Sequence, residues 1–158
     1  MNYSIILAGI MFSVVIGLLN SVIMKLTNKI DYDTKTNKSF LQPPGWIFGV
    51  MWTFIYFLYG MYGYSIYKSN NSFKIPIMIL YVVNLIMNLS WSPLVFGYKK
   101  YIMGVYVIWV IIYSLIAMMV MTKNTTSTLY LVPYISWLIL AMQLNIDIAK
   151  NNTLSTFQ

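Results

Sequence analysis

Residues 75–96, IPIMILYVVNLIMNLSWSPLVF, decide the fold because none of them carries a charged side chain. A bilayer core about 30 Å thick is crossed by roughly 20 residues of apolar α-helix, so this stretch is long enough to span a membrane. Within it, Asn84, Asn88 and Trp91 follow helical spacing and share one face. Because polar groups at that depth need partners, the stretch predicts a membrane-spanning helix whose polar face meets other helices or a ligand.

Four other stretches have the same length and apolar character. Of the chain's 158 residues, 59% are apolar and 8% are charged, whereas about 25% of residues in soluble domains are charged. The first stretch follows Met1-Asn2-Tyr3, which supplies no basic residue, so we expect a retained helix and not a cleaved signal peptide. The sequence therefore predicts an all-α integral membrane protein, a single five-transmembrane-helix bundle over residues 1–158, with spans at 4–24, 45–66, 75–96, 102–121 and 129–149 and a long loop at 25–43.

The ionisable residues exclude several classes of function. The chain has no Cys and no His, which excludes disulfides, ordinary zinc or haem ligation and Ser-His-Asp catalysis, so we predict no metal and no cofactor. Its net charge of +7 comes from lysines scattered between apolar blocks. Because they form no continuous basic face, nucleic acid is not an expected partner. The lipid bilayer is the simpler partner for these lysines.

The distribution of lysines predicts the orientation in the membrane. Short connections after the third and fourth spans make neighbouring helices antiparallel. Cytoplasmic loops carry an excess of Lys and Arg, and the side of the long first loop holds more lysines. We therefore predict a multi-pass protein with a cytoplasmic first loop and C-terminus. On that side lie Lys25, Lys29, Lys35, Lys38, Lys99, Lys100 and Lys150, against Lys68, Lys74 and Lys123 on the other.

Prolines and small residues predict how the spans pack. Pro44 and Pro76 suit the first turn of a helix, where a missing N–H costs nothing. Pro93 and Pro133 lie inside predicted spans and should kink them. Helices in lipid associate through small residues that allow close approach. The first two spans contain such residues at four-residue spacing, which predicts a packing seam of Gly9, Ser13, Gly17 and Ser21 with Gly45 and Gly49.

Three helix faces predict a cavity with aromatic walls. Such walls with a few hydrogen-bonding groups suit a flat apolar ligand. Two other interpretations stay open: the asparagines link helices, and the rings are ordinary core or an interfacial belt. The fourth span, whose Trp109 has no polar companion, is expected to serve the bundle or a dimer contact. Besides the polar face of the third span, the faces consist of Trp52 and Tyr56 in the second span and Tyr134, Trp137, Ala141 and Asn145 in the fifth.

Asp147 is the only acidic residue in a predicted span. An acid inside the membrane can belong to a proton or ion path. This one lies within a turn of the span's end, three residues before Lys150. We therefore interpret it as a solvated or paired acid at the membrane surface.

Three motifs resemble those of the translocator protein family, also called the tryptophan-rich sensory protein or peripheral benzodiazepine receptor family (TspO/MBR). They occur in the family's order and register and extend over nearly the whole chain. Each belongs to a different predicted span. The segments are PPGWIFG at 43–49 with Trp52 and Tyr56, NLSWSPLVFG at 88–97 with Val95 in place of one Phe, and PYISW at 133–137 with Ala141 and Asn145.

The resemblance implies a five-helix bundle, in many members a homodimer, whose cavity opens toward the first loop. Members bind porphyrins such as protoporphyrin IX, sterols in some cases, and benzodiazepine-type ligands. The sterol-recognition pattern of animal members has a Tyr where this chain has Ile146, although Lys150 keeps its basic residue, so a porphyrin is favoured over a sterol. The ligand-binding residues predicted by faces and motifs together are Trp52, Tyr56, Asn84, Asn88, Trp91, Trp137 and Ala141, with Tyr32 of the loop as a lid contact.

Several functions stay open on this basis. The leading prediction is a receptor or transporter that holds a porphyrin between the second, third and fifth spans, stacked on Trp52 and Trp137. The alternative is an enzyme that degrades protoporphyrin with light and oxygen, a reaction in which some bacterial members are implicated. These two tryptophans would then be its redox partners, and otherwise no residue is catalytic. Sterol binding or transport is a further alternative. A pore is disfavoured because the spans hold so little charge.

Overall fold

The computed structural model of the chain describes residues 3–27 and 43–153. Within these residues all regular structure is helical and no strand occurs. Five helices are long and apolar enough to cross a membrane, which confirms the predicted all-α, five-span architecture. The helices are α1 (Tyr3–Thr27), α2 (Gly45–Lys68), α3 (Lys74–Ser92), α4 (Tyr101–Thr122), a short α5 (Thr125–Leu129) and α6 (Val132–Thr153), and α5 and α6 together form the fifth span.

Prolines shape the ends of two spans. Pro44 directly precedes α2, and Pro76 lies in the first turn of α3, as predicted. At Pro93, α3 passes into a π-helical segment, Pro93–Gly97, in which the Tyr98 N–H donates to the Pro93 carbonyl at 2.9 Å. Proline has no N–H to donate and its ring crowds the carbonyl four residues earlier. The α-helical hydrogen-bonding register therefore changes here, inside the third span.

The fifth span begins differently from the prediction. Residues Thr125–Leu129 form the separate helix α5, whose first turn is capped by Asn124 accepting from the Ser127 N–H at 3.2 Å. The long helix α6 begins only at Val132, so Pro133 lies in its first turn. Pro133 lies inside the membrane-spanning stretch Thr125–Asn152, as predicted. The helix is interrupted between α5 and α6 and is not kinked at the proline, because a residue in the first turn of α6 has no intrahelical hydrogen bond to lose.

The bundle consists of two groups of helices. One is the pair α1 and α2, the other contains α3, α4 and α6, and α2 joins the second group through smaller interfaces. Asn84 donates to the Ser114 hydroxyl at 2.6 Å and links α3 to α4. Asn145 of α6 accepts the Trp91 indole N–H at 2.9 Å and donates to the Tyr101 carbonyl at 2.8 Å. These interhelical bonds stabilise α3, α4 and α6 as one unit in a medium without water.

The small-residue ladder makes contact at one end only. A methyl group added to Gly9 would lie 2.7 Å from a backbone carbonyl of α2, and one added to Gly60 would lie 3.1 Å from the Gly9 Cα. The same test at Gly17, Gly45 and Gly49 finds no atom of the described residues within 4 Å. The predicted seam is therefore confirmed at Gly9, which faces Gly60 of α2, whereas Gly17, Gly45 and Gly49 make no such close contact within the described residues.

Candidate ligand-binding site

A cavity of about 40 Å³ lies between the two groups of helices, in the half of the bundle nearer the start of α2 and the end of α3. A volume of this size holds no more than a few water molecules. Its walls are apolar and aromatic except for one carboxamide. The lining residues are Phe48 and Trp52 of α2, Asn88 and Trp91 of α3, Ile108 and Ile111 of α4, and Trp137, Leu138 and Ala141 of α6.

The structure brings most of the predicted ligand-binding residues together. Tyr56 lies behind the cavity wall and donates to the Asn88 Oδ1 at 2.7 Å. Asn84 does not line the cavity, because its amide is directed at α4. Tyr32 lies outside the described residues. As contacts to a ligand, all eight residues stay predictions; those that do line the cavity are Trp52, Asn88, Trp91, Trp137 and Ala141.

Aromatic contacts join α2 to α6 across the cavity. Trp52 stacks on Tyr56 with ring centres 5.5 Å apart and meets the Tyr134 ring edge-on at 5.9 Å. Phe48 meets Trp137 edge-on at 5.4 Å. Such offset and edge contacts are the preferred geometries of aromatic pairs. The aromatic side chains that wall the cavity are thus fixed in position by contacts with other aromatic rings.

The indole N–H of Trp137 is the unusual polar group of the site. It is buried and has no hydrogen-bond acceptor among the described residues. The indole N–H of Trp91, in the same cavity, is bonded to Asn145. Leaving a buried donor unpaired costs about 1–3 kcal/mol, so such a group in a native structure calls for an explanation, of which a bound ligand or water is one. The Oδ1 of Asn84 is the other buried polar atom without a partner in the described part of the chain.

Four lining residues were not among the predicted ones. Phe48 precedes Trp52 by one helical turn, so the α2 face could have included it. Leu138, Ile108 and Ile111 carry no sequence signal, because apolar residues occur on every face of their helices. The two isoleucines show that α4 also walls the cavity, a role that the sequence did not predict for the fourth span.

No ionisable side chain is present among the described residues that line the cavity, so it offers no general acid or base. Asp147 lies farther along α6, where its Oδ1 accepts a bond from the exposed Gln143 amide at 3.0 Å. This position agrees with an acid at the end of the span. The chemistry of the site is therefore that of aromatic surfaces, one carboxamide and one unpaired N–H donor.

Comparison with known proteins identifies the family. The sequence profile of the TspO/MBR family matches residues 9–150, which include all the cavity-lining residues. This chain belongs to the TspO/MBR family. The match confirms the resemblance that the three motifs indicated.

Relatives of this TspO/MBR member occur in archaea, bacteria and animals. It is 28% identical to the tryptophan-rich protein TspO of Archaeoglobus fulgidus over 94% of this chain and 97% of that protein. It is 28% identical to the tryptophan-rich sensory protein of Cereibacter sphaeroides, with 73% of each chain covered. It is 27% identical to the human translocator protein over 70% of this chain and 69% of that protein. The family relationship thus extends over residues 9–150, which contain nearly all of the membrane domain.

Proposed function

We propose that this TspO/MBR member is a membrane receptor or transporter that binds a flat hydrophobic ligand of the porphyrin class between α2, α3 and α6. The observation that carries the proposal is the buried, unpaired indole N–H of Trp137 in a cavity walled by rings. A ligand with an acceptor atom at its edge would supply the missing bond, and its face would stack on the aromatic walls.

The charge around the cavity favours a ligand with anionic substituents. A porphyrin such as protoporphyrin IX has a flat apolar ring and carboxylate side chains. Lys99 and Lys100 follow the third span directly, at the same end of the bundle as the cavity, and Lys150 lies near the end of α6 at that end. The ring would occupy the apolar walls while the carboxylates face these lysines.

Binding requires the cavity to expand. Pockets for ligands of this size are about 300–1,000 Å³, against about 40 Å³ here. The smaller interfaces of the bundle join α2 to α3 and α6, and across the cavity they include the Tyr56 bond to Asn88 and the ring pair Phe48 and Trp137. These are the contacts that would open if the start of α2 moved away from the other group, while the tyrosine contacts farther along α2 keep the helices joined. We expect the ligand to enter there.

A tryptophan-fluorescence titration with protoporphyrin IX in detergent tests the proposal. We expect saturable quenching of the wild type and about tenfold weaker binding by Trp137→Phe, which loses a hydrogen bond worth about 1–1.5 kcal/mol. The matched control is Trp109→Phe, because Trp109 is 45% exposed on α4 and stacks on Tyr113 outside the cavity. Quenching that does not saturate, or that is equally weakened in both variants, would contradict the proposal.

Oxidative degradation of the bound porphyrin is a second candidate. The observation that favours it is that Trp52 and Trp137, two oxidisable rings, both line the cavity. Molecular oxygen would be the oxidant and light the energy source. Illumination of the complex, with porphyrin absorbance as the readout, separates the two functions. Loss of absorbance that slows in Trp52→Phe at equal porphyrin occupancy supports degradation, and stable absorbance leaves binding alone.

A further inference from the structure

Three lysines lie together at the end of the bundle opposite the start of α2. Lys68 ends α2, Lys74 begins α3, and Lys123 directly follows α4. We call these residues the lysine cluster. Because each is at the end of a membrane-spanning helix, all three lie at the depth of the lipid headgroups.

Aromatic rings hold the three ammonium groups in place. The Nζ atoms of Lys68 and Lys74 lie 5.6 Å and 5.1 Å from the centre of one ring, that of Tyr67. The Nζ of Lys123 lies 5.3 Å from the centre of the Phe73 ring. All three distances are within the range of cation–π attraction. The ammonium groups of Lys68 and Lys74 therefore both contact the Tyr67 ring. The ammonium group of Lys123 contacts the ring of Phe73, the residue that precedes Lys74.

Hydrogen bonds fix the chain segments that carry the cluster. The Nδ2 of Asn71 donates to the carbonyls of Met121 at 3.0 Å and Thr122 at 2.8 Å, and its Oδ1 accepts the Phe73 N–H at 2.7 Å. The α2–α3 connection is thereby attached to the end of α4. Lys123 itself has a φ of 55°, a left-handed conformation that glycine adopts more readily. The cluster is thus a built feature and not a set of free surface chains.

Helix dipoles explain only part of the arrangement. Lysines at the ends of α2 and α4 interact favourably with the negative helix C-termini, but Lys74 lies at the positive N-terminus of α3. The three charges also repel one another. Asp147, the one acid among the described residues, lies toward the end of α6 at the opposite side of the bundle. An anion between the lysines would relieve both unfavourable interactions.

An apolar groove begins directly at the cluster. It is an open depression of about 460 Å³ that starts at Lys74 and follows α3 toward the middle of the span. Ile75, next to Lys74 at the start of the groove, is 74% exposed. A groove of this kind fits a hydrocarbon chain, whereas its apolar lining contributes nothing to the binding of a free inorganic anion. Its other lining residues are Met78, Ile79, Val82 and Val83.

We propose that the lysine cluster binds the phosphate of an anionic phospholipid, with an acyl chain in the groove along α3. The three ammonium groups neutralise the phosphate, and the rings of Tyr67 and Phe73 lie at the headgroup level, where aromatic residues are favoured. The site is separate from the porphyrin cavity, so neither proposal depends on the other.

Native mass spectrometry of the protein in uncharged detergent tests this site. The probes are phosphatidylglycerol, phosphatidylcholine and inorganic phosphate. Each lysine near a membrane surface contributes about 1 kcal/mol, which is about fivefold in affinity. We therefore expect Lys68→Gln/Lys74→Gln/Lys123→Gln to bind phosphatidylglycerol on the order of a hundredfold more weakly than the wild type.

The matched control is Lys25→Gln/Lys29→Gln/Lys35→Gln, which removes the same charge at and after the end of α1 and should keep most of the binding. Should the triple variant not fold, Lys74→Gln alone should still lose about fivefold. Equal binding of the two lipids by the wild type, or equal losses in the two triple variants, would overturn the proposal. Inorganic phosphate that displaces the lipid fully at millimolar concentration would show a free-anion site instead.

Discussion

The aromatic core has two halves, and they differ in how completely their polar groups are bonded. In the tyrosine half, formed by Tyr59, Tyr62 and Tyr81, all three side chains are buried. Tyr59 and Tyr81 stack with ring centres 4.2 Å apart, and each hydroxyl donates to the backbone carbonyl of the other, at 2.9 Å and 3.3 Å. The Tyr62 hydroxyl bonds to Thr122 at 2.8 Å. Every ring here is held at both its face and its polar end.

The cavity half, formed by Trp52, Tyr56 and Trp137, is packed less tightly. It encloses the cavity, and the Trp137 N–H lacks a partner in the described residues. Both halves are equally rich in aromatic residues, so aromatic content does not mark a site. An unpaired hydrogen-bond donor beside a cavity does mark a site, because a ligand can supply there the acceptor that the chain does not supply.

The largest expected effect is the loss of a ring from the tyrosine half. Tyr59→Ala should lower the free energy of unfolding by about 3–5 kcal/mol, because it removes a fully buried ring and leaves a void. Reversible denaturation in detergent measures it. Tyr106→Ala is the matched control, since Tyr106 is 66% exposed on α4 and should change stability little. Equal losses in the two variants would remove the distinction between core and periphery.

A smaller loss is expected where α1 meets the tyrosine half. Gly60→Ala would place a methyl group 2.6 Å from the Phe12 Cβ, and Phe12 packs against both Tyr59 and Tyr81. Overpacking of this kind costs about 1–3 kcal/mol. Gly17→Ala serves as the control, because no atom in the described part of the chain lies within 4 Å of its added methyl. Its thermal midpoint should stay unchanged or rise slightly.

A pair of Trp→Phe variants sharpens the comparison within the cavity half. Trp91→Phe leaves the Asn145 Oδ1 without its indole partner, whereas Trp137→Phe removes a donor that had none. The first should therefore be less stable than the second by about 1–3 kcal/mol. Ligand affinity should follow the opposite order, with the larger loss in Trp137→Phe. The same order in both measurements would mean that the unpaired N–H has no role in binding.

The smallest effect on stability is expected from filling the cavity. Ala141→Val adds two methyl groups beside a void of about 40 Å³, so the free energy of unfolding should change by less than about 1.5 kcal/mol. Porphyrin affinity, measured by tryptophan quenching, should fall about tenfold because the space at the α6 wall is lost. Ala117→Val on α4, which does not line the cavity, should leave affinity unchanged. Unchanged affinity in Ala141→Val would place the ligand elsewhere.

Some parts of the site were predictable and others were not, for identifiable reasons. Trp52, Asn88 and Trp137 were found because helical periodicity alone places them on three faces that a bundle can turn inward. Asn84 shares its face with Asn88, yet the structure directs its amide to Ser114 of α4. Periodicity cannot separate these outcomes, since the partner belongs to another helix.

The sequence by itself determined the five spans, the family and most of the cavity walls, because hydropathy, spacing and motifs are properties of consecutive residues. The tertiary structure alone decided four things: that Trp137 and not Trp91 has the N–H without a partner in the described residues, that α4 adds Ile108 and Ile111 to the cavity, that Gly9 and not Gly17 makes the close contact with α2, and that three lysines from separate helix ends converge on two rings. Each depends on which atoms of distant segments come within a few ångströms, and that distance is set by packing.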